Sequence, residues 1–446
     1  MHKRHTKTVT ALAAVVAAGL ALSGCTAGGD GNTTADGKTE VIFWQQKFED
    51  YQQAWFKEQV DAYNASQDEV KVTYQVVPAD TWDQKLKAAQ AAGNAPDVAT
   101  TSYGRIMPGV AIGQFAPLDE LVDPDVLDDI QPNVREFVST ADGTFAYPFL
   151  VEPSTVLFYR TDLFAAAGLD PASPPTSWAE LVDAARALTK DGVYGMNIAQ
   201  TAADLGWSSW GLQYNAAGHL PVADDWSAAD ATDPAYIELA EFYRTLYGEK
   251  LMPQEAAYPY ADCAPYGEGQ VAMTACGSWA IGQLTNDYPD MIPNTAVAAF
   301  PSIDGDPTKP TSTLGGWTLT VDGKSKVQQE GADFIAWLLG GETEHLVDFF
   351  KTSGYSKYPA RVSVSEALSA DPEASANPFM QTVSEDIVPF SKAEPTYPWE
   401  IALSFATAIE KSMRGEDIQA SLETANSEID DIIEKQKLAG TAPEAG

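Results

Sequence analysis

Residues 41–100 read VIFWQQKFEDYQQAWFKEQVDAYNASQDEVKVTYQVVPADTWDQKLKAAQAAGNAPDVAT, and their periodicities decide the fold class. Val41-Ile42-Phe43-Trp44 is a short apolar run, the pattern of a buried strand. From Asp50 to Ala65, Trp55, Phe56, Val60 and Tyr63 fall close to one face of a helix. Val70 to Val77 alternates valine with polar residues, as a strand does. Thr81 to Ala92 reads as a helix ended by Gly93-Asn94, and Asp97 to Thr100 reads as a third strand. A β-α-β-α-β run is the grammar of an α/β layer with a mostly parallel sheet.

The grammar returns downstream. Phe145–Phe149, Val156–Tyr159, Tyr194–Asn197, Val271–Ala275, Thr295–Phe300 and Trp317–Val321 read as strands. Ser177-x-x-Glu180 is a capping box, and it opens a helix whose Leu181, Ala185 and Leu188 share a face. Ser325-x-x-Gln328 reads as the cap of a helix through Leu339. Ile401 to Gln436 is helical. The chain has 446 residues, which at ~150 per domain means two or three domains or one two-lobed body.

Lys plus Arg number 27 against 63 Asp plus Glu, a net charge of −36. Such a surface repels phosphate backbones, so nucleic acid is excluded as a partner. The chain contains no phosphate-binding loop, no H-E-x-x-H and no G-x-S-x-G. Beyond the first 25 residues only His219 and His345 remain, and they give no metal-ligand spacing. No catalytic residue, metal or cofactor is expected.

Lys3, Arg4 and Lys7 precede an apolar stretch from Ala11 to Leu22, the form of a secretory leader. Leu22-Ser23-Gly24-Cys25 resembles the bacterial lipobox, in which cleavage precedes a cysteine that is then acylated. Residues 1–24 are therefore read as a lipoprotein signal peptide, Cys25 as the lipidated residue, and 25–38 as a flexible tether. Anchoring is to the extracellular face of the cell membrane, since no later apolar run approaches the ~18 residues a spanning helix needs. Cys263 and Cys276 are close enough in sequence to form a disulfide outside the cytoplasm. Two buried free thiols is the alternative.

Several further segments occur in a telling order. They are Ala95-Pro96-Asp97-Val98, Tyr147-Pro148-Phe149 leading to Leu157-Phe158-Tyr159-Arg160-Thr161-Asp162-Leu163-Phe164, and Pro175-Thr176-Ser177-Trp178. Then follow Gly267-Glu268-Gly269-Gln270-Val271-Ala272-Met273 with Gly277-Ser278-Trp279, Gly315-Gly316-Trp317, and Ala332-Asp333-Phe334-Ile335-Ala336-Trp337-Leu338. Together they resemble the extracellular solute-binding proteins of ABC sugar transporters, of the maltodextrin and oligosaccharide type. The resemblance implies two α/β lobes, each a mostly parallel sheet flanked by helices, hinged by crossover strands around a ligand cleft. Lobe one would comprise 39–150 and 311–365, and lobe two 151–310 and 366–440. It also implies a lipid-anchored monomeric receptor that delivers a neutral oligosaccharide to ABC permease subunits. The alternatives are a secreted glycoside hydrolase using a cleft carboxylate pair, and a binding protein for another small solute.

Sugar hydroxyls need amides and carboxylates, and the C–H face of a sugar ring packs on aromatic rings. Trp55, Trp178 and Trp337 lie in helical patterns and are assigned to cores. Trp279 occupies the place where, in the resembling family, a tryptophan packs against the sugar. Trp317 opens a strand beside Gly316, whose missing side chain would let a ligand approach the backbone. Trp399 lies on a turn into a helix, and of Trp207 and Trp210 the latter is taken to face the cleft. Glu152 ends an interlobe strand, where a carboxylate buried without a partner is costly and sugar hydroxyls would serve. Gln45 and Gln46 end the first strand, where α/β sheets bind ligands. Tyr103 and Arg105 lie in the loop after the third strand. Maltodextrin-binding relatives carry Trp and Asp in that loop, where Thr101 and Gly104 stand here, and only Arg105 matches.

Overall fold

The computed structural model describes residues 32–442. Cys25, the leader and the first part of the tether lie outside them. The strands are β1 (Thr39–Gln46), β2 (Val70–Val77), β3 (Val98–Ser102), β4 (Ser139–Thr140), β5 (Gly143–Thr144) and β6 (Tyr147–Pro153). They continue as β7 (Val156–Arg160), β8 (Met273–Cys276), β9 (Thr295–Ala298), β10 (Thr313–Val321), β11 (Tyr358–Pro359) and β12 (Lys392–Ala393).

The larger sheet has the order β11-β6-β10-β3-β1-β2, with β12 alongside β10. Its β1–β2 and β1–β3 pairs are parallel, as the opening β-α-β-α-β run requires. Phe43 of β1 packs between Phe56 and Phe334, with centroids 5.7 and 5.5 Å away, so the apolar faces of helices Asp50–Ser66 and Gln328–Leu339 close over the sheet.

The second sheet is β8-β7-β9, and both of its ladders are antiparallel. The expectation of a mostly parallel sheet in each lobe is therefore corrected. In the larger sheet too, β10 runs antiparallel to β3 and β6. The physical reason is the crossover: a strand that returns from the other lobe enters its sheet from the opposite end. Tyr194–Asn197 contributes only isolated parallel bridges, to Val271 and Thr274, rather than a strand.

Two large hydrophobic clusters divide the chain. One takes residues from Val41 to Val151 and from Leu319 to Ala374, and the other those from Val156 to Phe300 and from Val383 to Ile433. Core membership thus switches three times, as two lobes with three crossovers demand. The last switch falls after Ala374. The expected boundary at 365/366 cuts the helix Val362–Ser369, whose Val364 and Leu368 belong to the first cluster.

The capping box at Ser177 forms, with the hydroxyl accepting from the Glu180 N–H and Glu180 reaching back to the Ser177 N–H. Ser177→Ala is expected to lower stability by about 1 kcal/mol, read as a lower urea midpoint at unchanged slope. Ser325 does not cap. Its hydroxyl donates to Asp97 at 2.6 Å and accepts from the Val327 N–H at 3.0 Å, and the helix begins at Gln328.

Candidate functional site: the interlobe hinge and its aromatic rim

The first two crossover segments and β12 lie side by side. Ser154 Oγ meets Thr313 Oγ1 at 2.8 Å, the Thr155 N–H donates to Ser312 Oγ at 3.0 Å, and the Lys392 N–H donates to the Ser312 carbonyl at 3.2 Å. All of these groups are short-chain polar residues or backbone, so the hinge is held by hydrogen bonds rather than by large apolar side chains.

Glu152 sits at the end of β6, buried as expected, but its partner is a lysine. Lys357 Nζ lies 2.8 Å from Glu152 Oε2 and 3.6 Å from Glu49 Oε1. The lysine is 2% exposed. Burial opposes its charge, yet the two carboxylates outweigh burial and hold it protonated, above the usual lysine range. Burial also raises the Glu49 carboxyl, with Lys357 pulling the other way. The hinge therefore carries a buried Glu152–Lys357 pair with the half-buried Glu49 as its second acidic neighbour.

Glu394, directly after β12, adds a further acidic group. It accepts from the Gly104 N–H, and burial, then Glu152, pushes it up to about 7 against the pull of Gly104 and Arg105. A β-carbon at Gly315 would lie 1.9 Å from its Oε1. Gly316, at φ +138°, brings the Leu150 carbonyl within 2.2 Å of where its β-carbon would be. These glycines thus make room for Glu394 and for β6, which corrects the reading that they open the backbone to a ligand.

Glu394 also has a pH signature. Between its unfolded value, near 4.5, and about 7, the folded state holds a proton that the unfolded state has released. Stability should therefore fall as pH rises through that window. Glu394→Gln should remove roughly 1–3 kcal/mol of that slope, measured as the difference in urea unfolding between the two proteins from pH 4.5 to 8.

The aromatic residues form two groups. In the second lobe, Trp207, Tyr260 and Trp279 cluster, with centroid separations of 5.3 Å (Trp207–Tyr260), 5.9 Å (Trp207–Trp279) and 6.5 Å (Tyr260–Trp279). The Tyr260 hydroxyl donates to the Ser154 carbonyl at 3.0 Å, which ties the cluster to the first crossover. Trp279 Nε1 donates to the Ala261 carbonyl at 2.8 Å. In the first lobe, Phe48 packs on Trp317 at 4.5 Å, and both are half-buried.

Trp210 is not in either group. It lies in the second core, as buried there as Trp279, but edge-on to Tyr397 at 6.5 Å rather than against Tyr260. Trp207, half-buried, is the one of the two that packs against Tyr260 and Trp279. Trp399 is 40% exposed, and its ring lies over Gly206 at the helix Ala202–Ser208.

Two polar side chains near the strand ends are buried with an atom left over. Gln45 is fully buried; its Oε1 accepts from the Tyr74 hydroxyl and its Nε2 has no partner. Tyr103 is 5% exposed, and its hydroxyl has none either. Burial, then Glu394 and Glu152, holds that phenol well above its usual range. Gln46 is half-buried and donates its N–H to Thr100 Oγ1 at 2.9 Å, while Arg105 is exposed.

Cys263 and Cys276 stand as buried free thiols, which corrects the expected disulfide. The Cys276 thiol donates to the Tyr260 carbonyl at 3.4 Å and Cys263 lies within hydrogen-bond reach of it, so the pair closes the base of the aromatic cluster without a covalent bond.

The residues missed in sequence are Phe48, Glu49, Tyr260, Lys357 and Glu394. Phe48 and Glu49 follow β1 directly, so the rule that ligands gather at strand ends could have found them. Among the described residues no His, Cys, Asp and Glu group could hold a metal ion, and no helix is long and apolar enough to cross a membrane.

The sequence profile of bacterial extracellular solute-binding proteins matches residues 49–343. The chain belongs to that family. This solute-binding protein is 26% identical over 369 residues to the sn-glycerol-3-phosphate-binding periplasmic protein UgpB of Escherichia coli K12, covering 77% of each chain. It is 31% identical over 179 residues to an uncharacterized lipoprotein of Streptomyces antibioticus, a match spanning 40% of this chain and 39% of that one. The crystal structure of the cyclic alpha-maltosyl-1,6-maltose binding protein of Arthrobacter globiformis superposes with a TM-score of 0.68 at 26% identity, over 90% of this chain and 100% of that one. The two-lobed α/β architecture read from the sequence is the architecture of these solute-binding proteins.

Proposed function

We propose that this protein is a non-enzymatic receptor that binds a neutral oligosaccharide between its lobes and delivers it to the permease of an ABC importer. It works as a monomer held to the extracellular face of the membrane by a lipid on Cys25. The observation that carries the reading is the cluster of Trp207, Tyr260 and Trp279 tied to the first crossover. Such rings offer stacking surfaces for sugar C–H faces. Phe48 and Trp317 provide a second surface, and Gln45, Tyr103 and Glu394 provide hydroxyl partners.

The charge of the hinge favours an uncharged ligand over the phosphoester named for UgpB. Glu49 and Glu152 already engage Lys357, and Glu394 lies near enough to Glu152 to be raised by it. A phosphate would meet carboxylates in a site of low dielectric, where like charges repel most. The maltosyl-maltose-binding neighbour supports the neutral ligand, and family membership supports the receptor role.

The test is thermal unfolding against maltooligosaccharides, other neutral oligosaccharides, monosaccharides and sn-glycerol-3-phosphate, with chromatography of each sugar afterwards. A ligand at 100 times its Kd adds about 2.7 kcal/mol of stability. A shift with one neutral oligosaccharide class and no product is expected. A shift with the phosphoester alone, or any sugar cleavage, would overturn the reading.

A further inference from the structure

The helix Trp279–Asp287 belongs to the second lobe, yet its flank lies against the first. Gly282 is one point of close approach. A β-carbon there would fall 2.7 Å from the Ser353 carbonyl, 2.9 Å from the Tyr51 hydroxyl and 3.0 Å from Ser356 Oγ. One turn on, Asn286 Nδ2 donates to the Thr352 carbonyl at 3.2 Å. Opposite Thr285 stands Gly354, at φ +65°, whose β-carbon would lie 3.5 Å from Thr285 Cβ. Every first-lobe group here belongs to the C-terminal end of the helix Thr343–Thr352, to the segment that follows it, or to Tyr51. None is in a crossover.

This seam is small, polar and partly open to water: Thr285 and Asn286 are exposed. It lacks the interlocked apolar side chains of either core. It also carries like charges, since burial and then Asp50, Asp262 and Glu49 raise the Asp287 carboxyl, and Asp50 and Glu49 belong to the first lobe. A contact of this kind forms and breaks readily. Its helix begins with Trp279, so a ligand that orders that tryptophan also orders the seam.

We propose that the flank of helix Trp279–Asp287 is a closing latch, in which Gly282 seats on Ser353 and Tyr51 only when the lobes shut, so that it sets ligand affinity without touching the ligand. The latch does not depend on which solute the cleft takes.

The first test needs no ligand. In a Thr285→Cys/Gly354→Cys variant the β-carbon separation of 3.5 Å lies within the range that a disulfide spans, about 3.5–4.5 Å. Copper-phenanthroline oxidation should cross-link this pair, mapped by mass spectrometry, and X-ray scattering should show a smaller radius of gyration than the reduced protein, reversed by dithiothreitol. No cross-link, or a cross-link with an unchanged radius, would overturn the latch, because the seam would then be absent or permanent. A second variant, Gly282→Leu, should keep the ligand-free melting temperature of the parent protein while weakening the solute found by thermal shift at least tenfold. A lowered melting temperature with unchanged affinity would assign Gly282 to ordinary packing and overturn the proposal. If no sugar binds but oxidation still shrinks the molecule, the oligosaccharide reading fails and the latch stands.

Discussion

Replacing Lys357 by methionine is expected to destabilise the protein by about 3–5 kcal/mol, the range for breaking a buried ion pair by removing one partner. The lysine is 2% exposed and lies 2.8 Å from Glu152 and 3.6 Å from Glu49. Methionine keeps most of the side-chain length, so the loss is of charge rather than of volume. Two carboxylates then remain with no cation between them, and each must either ionise in a poor solvent or take up a proton. Adding Glu152→Gln to Lys357→Met should recover a large part of the loss, because it removes the charge left stranded. Urea unfolding of the single and double variants measures both. A loss under about 0.5 kcal/mol would match a surface pair screened by water and would contradict a buried Glu152–Lys357 pair at the hinge.

Gly277→Ala is expected to weaken solute binding roughly 10- to 100-fold, or about 1.4–2.8 kcal/mol. A β-carbon at Gly277 would lie 1.8 Å from Cζ3 and 2.1 Å from Cη2 of Trp279. No rotation of a methyl group relieves such an overlap, so the indole must leave its seat. It would lose the Nε1 bond to the Ala261 carbonyl and its place beside Trp207 and Tyr260. The strand before it ends at Cys276, so the fold should survive. Near-UV circular dichroism should report the displaced indole, and calorimetric titration the lost affinity. An altered spectrum with unchanged affinity would remove Trp279 from the binding surface.

What the sequence revealed and what it hid divide by the range of the interaction. Patterns carried within one element were legible: Trp55, Phe56, Val60 and Tyr63 on one helix face, and the capping box at Ser177, are all found as read. The family order of segments gave the two lobes and the region of the hinge. Contacts between distant segments were not legible. Lys357 and Glu152 are 205 positions apart, and nothing in either local pattern announces the pair. Gly315 and Gly316 signal close approach correctly, but the approaching groups are Glu394 and the Leu150 carbonyl. Trp207 and Trp210 are three residues apart at consecutive helices, so periodicity offers no means to choose which of them packs beside Trp279. Strand direction in the second lobe was misread because a β-α-β grammar describes a chain that stays in one lobe, whereas this chain leaves and returns.

Calorimetric titration of the protein with the neutral oligosaccharide that most raises its melting temperature, beside the same titration of Trp279→Ala, tests the central claim most directly. The account predicts one site per chain, no heat of hydrolysis, and an affinity at least tenfold weaker in the variant. Equal affinity in the two proteins, or binding of sn-glycerol-3-phosphate in preference to every neutral sugar, would contradict it.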